Sequence, residues 1–394
     1  VFKGDYQHVQ PCYSWLRPRH LALFVLLALA LLGYHKAWAE GQILTGLSCM
    51  VQGDDNFLGL WEVPFVSRTH ERESKPDDTI PASINAGPSR KQQPGKKPFG
   101  FAHITFVNPT TGWVVGGYGV ILATTDGGKT WKQQVSSVKH DLWAVTFVNA
   151  KMGWAVGRYG IIVATTNGGK TWKQQDSGVA VDLISVAFIN MKTGWVVTNE
   201  KGTILVTRNG GKVWKKQRIG TTHYLGSMTF VNPTTGWIYR GDGAIIATTD
   251  GGKTWKQYAS DELQDVLSIT FVNSTMGWAV GWALNNNLPK LLSKGVILAT
   301  IDGGKTWQQR ASGTMQVLNA VTFINSTTGW VVGTNGTILA TTDGGITWKQ
   351  QVSGTKDDLE SVAFVNPTTG WAAGLGGTIL ATIDGGKTWQ KQYP

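Results

Sequence analysis

The sequence predicts an all-β chain folded as a seven-bladed β-propeller, with one blade per repeat of about 41 residues. Three observations carry that prediction. A Gly-Trp pair recurs at Trp113, Trp154, Trp195, Trp237, Trp278, Trp330 and Trp371. A second motif places Trp131, Trp172, Trp214, Trp255, Trp307, Trp348 and Trp389 at the same pitch, with steps of 41 or 42 residues and one of 52 in the fifth repeat. The composition is that of a turn-rich β protein: 50 glycines, 19 tryptophans and only 15% charged residues.

Each repeat divides into four short strands. In the second, "LWAVTFVN" (Leu142 to Asn149) reads as the first strand, "AKMG" as a turn and "WAVG" as the second strand. "RYG" then turns into "IIVATT", and "NGG" turns into "KTWKQQ". Asn, Gly and Pro stand where hairpins need a positive or preset φ. Phe106, Phe147, Phe188, Phe230, Phe271, Phe323 and Phe364 share one position of the first strand. Two residues earlier stands Val, Ile or Met, and the position between is Thr or Ala. Large groups on one face and small ones on the other let neighbouring units interdigitate. Closing seven units into a ring hides both faces and removes long edges. All seven units are complete in chain order, and "LGLWEVPFV", ahead of the first, is a candidate extra strand beside the last blade.

Residues 1–39 read as a signal peptide or an N-terminal anchor. Arg17 and Arg19 precede the apolar run "LALFVLLALALLG", and "AWA" at Ala37 to Ala39 supplies an A-x-A site. The run falls short of the ~20 apolar residues of a membrane span. Residues 40–98 read as an extension and polar linker, rich in Pro and charge in its second half, and residues 99–394 as the propeller. Cleavage after Ala39 would leave Cys49 as the sole cysteine, with no intramolecular disulfide. The expected location is exported: periplasm, thylakoid lumen or extracellular space, with the N-terminal segment as the route to membrane association. The formal charge of +11 is spread along the chain without a basic stripe, which points away from nucleic acid and toward an acidic partner or a membrane surface.

The second motif reads Thr124-Thr125-Asp126-Gly127-Gly128-Lys129-Thr130-Trp131 in the first repeat. Its pattern, S/T-x-D-x-G-x-T-W, resembles the Asp box of the bacterial neuraminidase repeat. The position of Asp126 is held in the other repeats by Asn167, Asn209, Asp250, Asp302, Asp343 and Asp384. A short carboxylate in a tight turn accepts hydrogen bonds from the turn's own N–H groups. Asn keeps the acceptor and gives up the charge, so the role read here is structural. A catalytic group is needed once, whereas a group present in every blade serves every blade.

Hairpins joining strands one–two and three–four share one face of a propeller, and here they are uniform. The two–three turns and the links between blades share the other face, and they vary. Candidate partner-binding residues are therefore Arg158, Tyr159, Arg240 and Asp242 in the two–three turns, and Trp282 at the start of the long fifth-blade loop "WALNNNLPKLLSKG". Asp141, Asp182, Asp265 and Asp358, where the chain enters the innermost strand, read either as a binding rim or as caps on backbone amides. No catalytic residue, metal site or cofactor is expected. His103, His140 and His223 are one per blade at most. The clusters Asp261-Glu262 and Asp357-Asp358-Glu360 read as solvated blade links. Asp141 with Asp182 is the one carboxylate pair the ring could set at the ~5–10 Å that glycoside hydrolysis requires.

Seven Asp-box blades with "GWxVG" and "GxILxTTDGGKTW" resemble the photosystem II assembly and stability factor family of cyanobacteria and plastids, over about residues 99–394. The resemblance implies a non-enzymatic, protein-binding chaperone on the lumenal side, whose client is a membrane-protein assembly intermediate. It also implies an arginine-rich partner surface across adjacent blades. Arg158 and Arg240 hold comparable turn positions and Arg208 and Arg218 are near in sequence, while the third blade's turn is "TNEKG". The alternative is a sialidase-like or other glycoside hydrolase, or a carbohydrate-binding propeller. Sialidases share the Asp box but resemble six-bladed propellers with an R-I-P motif, which this sequence lacks.

Overall fold

The computed structural model describes residues 100–240, 243–258, 265–284 and 293–392, with the side chains at 265, 284 and 293 outside the description. Contacts divide the chain into Val1–Ser89 and Arg90–Pro394, and the described residues all belong to the second unit. The leader, the extension and linker and "LGLWEVPFV" lie outside the described residues.

Seven four-stranded antiparallel sheets follow one another, each a meander in chain order. In the first, β1 (Phe101–Phe106) pairs with β2 (Gly112–Gly116), β2 with β3 (Ile121–Thr124), and β3 with β4 (Lys132–Gln133). The other innermost strands are Leu142–Phe147, Leu183–Phe188, Leu225–Phe230, Asp265–Phe271, Leu318–Phe323 and Leu359–Phe364. In the second blade this strand ends two residues before Asn149. The Asn149 Oδ1 accepts the N–H groups of Lys151 and Met152 at 2.8 and 2.9 Å and so turns the chain.

The apolar core lies between blades rather than at the centre of the ring. Seven clusters each join two consecutive blades, the seventh blade to the first included. The Gly-Trp tryptophan of one blade stacks flat on the first-strand Phe of the next, with centroids 3.4 to 3.8 Å apart at all seven interfaces. That Phe meets the Asp-box Trp of its own blade edge-on at 5.8 to 6.1 Å. Aromatic area thus joins blades that share no ladder. The first glycine of "GWxVG" makes the stack fit, since a Cβ at Gly153 would come within 2.5 Å of the Phe147 ring.

At six interfaces the stacked indole also donates its Nε1–H to an Asp-box carbonyl of the next blade, at 2.8 to 3.3 Å. The interface between blades three and four differs. Arg208, where the other blades carry Thr or Ile, donates from Nη2 to the Gly251 carbonyl at 2.8 Å. Its guanidinium lies 5.2 Å from the Trp195 ring centre, and the Trp195 Nε1 is buried without a partner.

The Asp-box turns sit on the face of the strand one–two hairpins, tied to them by bonds such as Gly127 N–H to Thr110 O at 2.9 Å. Asp126 accepts the Thr130 N–H at 2.9 Å, the Thr130 hydroxyl at 2.5 Å and the Thr124 hydroxyl at 2.8 Å. These bonds, led by that of the Thr130 side chain, pull its pKa from 3.8 to about 2. Asn167 Oδ1 keeps two of the bonds, to the Thr171 N–H and the Thr165 hydroxyl, both at 3.0 Å. Its Nδ2 donates to the Thr171 hydroxyl at 2.9 Å, so that hydroxyl reverses polarity and the turn is unchanged. Asn209 likewise accepts the Val213 N–H at 3.0 Å.

In the fifth blade the expected loop after Trp282 is shorter than the sequence suggests. Strand Gly277–Leu284 pairs with Ser293–Thr300 along its whole length, and Trp282 lies inside the ladder, opposite Gly295 on one side and Asp265 on the other. Backbone pairing of Trp282 with Gly295, Ala283 with Lys294 and Leu284 with Ser293 extends the hairpin by pairs that the described residues of the other blades lack. Residues 285–292 lie outside the described residues.

Candidate functional site

The variable face is built from the two–three turns. Tyr118, Tyr159 and Asn335 sit there in the left-handed region, with φ of 56°, 56° and 53°. That conformation costs a non-glycine residue about 1 kcal/mol, and the next blade holds it in place. Asp141 Oδ1 accepts the Tyr118 N–H at 2.9 Å, Asp182 Oδ1 the Tyr159 N–H at 2.9 Å, and Asp358 Oδ1 the Asn335 N–H at 2.8 Å. Of the two readings open for these aspartates, the geometry supplies the cap, and each cap crosses from one blade to the next. Asp265 begins its strand, and Asp242 lies outside the described residues.

The turns leave aromatic rings in solvent: Tyr118 is 72% exposed and Tyr159 56%. The Arg158 guanidinium lies 5.4 Å from the Tyr159 ring centre and 3.7 Å from the Asp141 carboxylate, and His140 meets the same ring edge-on at 4.9 Å. The arginines singled out in the sequence do not gather. Arg240 donates to Gln257 on its blade's outermost strand at 2.7 Å. Arg218 and Lys216 both bind Glu200, at 3.2 and 2.6 Å. Arg208 is engaged with the Asp-box face. Among the described residues no three His, Cys, Asp or Glu side chains form a metal site.

The mouth opens into a cavity of about 910 Å³ along the ring axis, lined near the top by Tyr118, Lys139, His140, Asp141, Arg158 and Leu375. Its wall comes from a feature the sequence reading missed. Each innermost strand carries a register shift just after it begins: Leu359 pairs with Gly374 and Ser361 with Ala373, leaving Glu360 unpaired. Such a bulge re-aims one side chain. The bulge residues Ala102, Trp143, Ile184, Leu267, Asn319 and Glu360 all line the cavity, and in the fourth blade the shift spans Gly226 and Ser227. The closing glycine of "GWxVG" gives the bulge room, because a Cβ at Gly157 would lie 2.0 Å from the Asp141 carbonyl oxygen.

Glu360 is therefore half-buried in the central cavity, which corrects its reading as part of a solvated link. Burial first, and the charge of Asp358 second, raise its pKa to about 7. His103, one residue past the bulge in the first blade, has a buried Nδ1 with no partner, and burial lowers its pKa to about 4. The signal for the cavity wall was present in the sequence as a column. Where the rest of the strand repeats, this position reads Ala, Trp, Ile, Gly, Leu, Asn and Glu.

Comparison with known proteins places this geometry in a family. The profile described as "Photosynthesis system II assembly factor YCF48" matches residues 96–178, 172–258 and 305–393. Among solved structures, a YCF48 bound to D1 peptide shares 21% identity at a TM-score of 0.60, covering 73% of this chain and 94% of that one. YCF48 from Cyanidioschyzon merolae shares 20% at 0.60, covering 75% and 98%. An ancestral GH74 enzyme reaches the same TM-score of 0.60 at 14% identity, covering 76% of this chain and 47% of that one, a likeness of fold. A search of curated proteins by sequence returns no match. With the family profile spanning blades one to four and the last two, the chain belongs to the photosynthesis system II assembly factor YCF48 family.

Proposed function

We propose that this propeller is a non-catalytic assembly factor that holds an extended segment of a photosystem II core polypeptide on its variable face. The observation that carries the reading is family membership, joined to a relative of the same fold solved with a D1 peptide. The face suits an extended chain. It offers two exposed tyrosines on rigid turns, a cation beside one of them, and a central cavity open at the mouth. The carboxylates at the mouth favour binding over hydrolysis, since Asp141 is engaged by the Tyr118 amide and Arg158. We place the protein on the exported side of a membrane, on the strength of the apolar run and A-x-A site near the N-terminus.

The test is direct. Overlapping D1 peptides are titrated against the purified chain, and solubilised membranes are passed over it. Saturable binding of a defined peptide and recovery of a photosystem II intermediate are expected. Turnover of xyloglucan or a sialoside, with no peptide bound, would sink the proposal.

A further inference from the structure

The bulge side chains that meet in the central cavity are unlike one another. Trp143, Ile184 and Leu267 form an apolar wall, and Asn319 and Glu360 a polar corner. Ala102 lies between Glu360 and Trp143 in ring order and is too small to fill its sector. Asn319 is fixed by donating its Nδ2–H to the Leu359 carbonyl at 3.0 Å, beside Glu360 on the same neighbouring strand. Glu360 takes part in no ion pair among the described residues. A partly desolvated carboxyl without a cation, sharing a cavity with an indole face, is chemically a cation receptor.

Depth decides what kind of cation. Glu360 lies two residues along the strand from Asp358 at the mouth, roughly 6–7 Å inward at the rise of a β-strand. An extended Lys or Arg side chain reaches about that far, with an apolar stem and a charged tip. The geometry points to the cavity as the receptor for one Lys or Arg side chain of a polypeptide crossing the mouth. The stem would lie along Trp143, Ile184 and Leu267, with the charged head at Glu360 and Asn319. This rests on the proposal that the variable face binds an extended polypeptide. The charged and titratable groups facing the entry are Tyr118, Lys139, His140, Asp141 and Arg158 from blades one and two, with Asp182 of blade three and Asp358 of blade seven in the same cap position as Asp141. Arg158 is held by Asp141, so the mouth carries a slight negative excess that draws a cation in, and Glu360→Gln separates that pull from the internal carboxyl.

The probe is Nα-acetyl-arginine amide, compared with its neutral citrulline counterpart, on the full chain. The readout is the 19F signal of 5-fluorotryptophan at Trp143, assigned with Trp143→Phe. The arginine probe is expected to shift that signal saturably, and the citrulline probe to bind at least about tenfold more weakly. Glu360→Gln should erase the difference, with an unchanged melting temperature showing that the ring is intact. Because a carboxyl of pKa about 7 goes from ~10% to ~90% ionised between pH 6 and 8, affinity should rise about tenfold over that range. Glu360→Gln should lose that rise. Equal binding of the two probes, or a preference that survives Glu360→Gln, overturns the inference. D1 peptides binding where the arginine probe does not would overturn it alone and leave the client proposal standing. The arginine probe binding where no D1 peptide does would support it and sink the client proposal.

Discussion

Trp371 of the last blade stacks on Phe106 of the first at 3.4 Å with ring planes 3° apart, and its indole N–H reaches the Gly127 carbonyl at 2.9 Å. The pair joins residues from opposite ends of the propeller with the same flat stack that joins every other pair of blades. Among the described residues no strand is exchanged to close the ring; there the last blade meets the first through this packing, the indole bond and the Ile104 N–H, which donates to the Ser361 hydroxyl at 3.2 Å. Trp371→Ala should cost about 3–5 kcal/mol, the range for emptying a large aromatic site. Urea denaturation should show a similar loss for Trp154→Ala at an internal interface. A much larger loss for Trp371→Ala would mean that closure is held by something other than this stack.

The Asp boxes make acid stability predictable in sign. The carboxyls of Asp126, Asp343 and Asp384 each have a folded pKa lowered from 3.8 to about 2 by hydrogen bonds, first from the side chain of Thr130, Thr347 or Thr388. Their stabilisation is complete above about pH 4 and is lost as the pH falls through about 2. Asp126→Asn should flatten this dependence slightly and melt near the parent at pH 7, because Asn167 and Asn209 already build the same turn. Asp126→Ala should melt lower at every pH. Thermal melts from pH 2 to pH 7 compare the three.

Arg208 and Trp195 yield a paired test. Where Trp237 donates to Gly303 O at 2.8 Å, its replacement by Phe leaves a carbonyl unpaired. Trp195 donates to nothing, because Arg208 has taken the Gly251 carbonyl. Trp195→Phe should therefore cost about 1 kcal/mol less than Trp237→Phe in urea denaturation. Arg208→Thr, the residue of four other blades, should stay within about 0.5 kcal/mol of the parent, as Trp195 recovers its acceptor.

The left-handed tyrosines test whether the variable face is kept for binding. Gly376 occupies the corresponding turn of the seventh blade at φ 70°. Tyr159→Gly should raise stability by up to about 1 kcal/mol by relieving the backbone, and Tyr118→Gly should do the same. Both should weaken the D1 peptide titration. A gain in stability with unchanged peptide affinity would remove these rings from the binding surface.

The fold was legible because it is written seven times. Strand order, blade count and the hydrogen-bonding role of Asp126 and Asn167 all follow from which residues change together and which do not. The site was legible only as a face. Sequence placed Arg158 and Arg240 in equivalent turns, but equivalence in a ring is a matter of angle. Blades two and four point their arginines at different partners, Asp141 and Gln257. Trp282 looked like a loop residue because the insertion lacks the usual turn signal, while backbone pairing carries the strand on to Leu284. Glu360 was misplaced for a subtler reason. A one-residue bulge shifts the alternation of inward and outward side chains, and no pattern of period two reveals it.

That bulge also separates two demands that usually compete on a protein. Residues that stack blade on blade are repeated around the ring, and no bulge residue belongs to any of the seven clusters between blades. Six of these positions can therefore diverge without unsettling the stack beside them, whereas a Cβ at Gly226 would lie 2.7 Å from the ring of Tyr239, a member of the cluster between blades four and five. A chain that copies one unit seven times begins with a symmetric pore. Drift in this single column is enough to turn it into an asymmetric receptor with independently adjustable walls. An engineer seeking a new ligand for this scaffold would randomise residues 102, 143, 184, 267, 319 and 360, and leave Gly226 and the tryptophans alone.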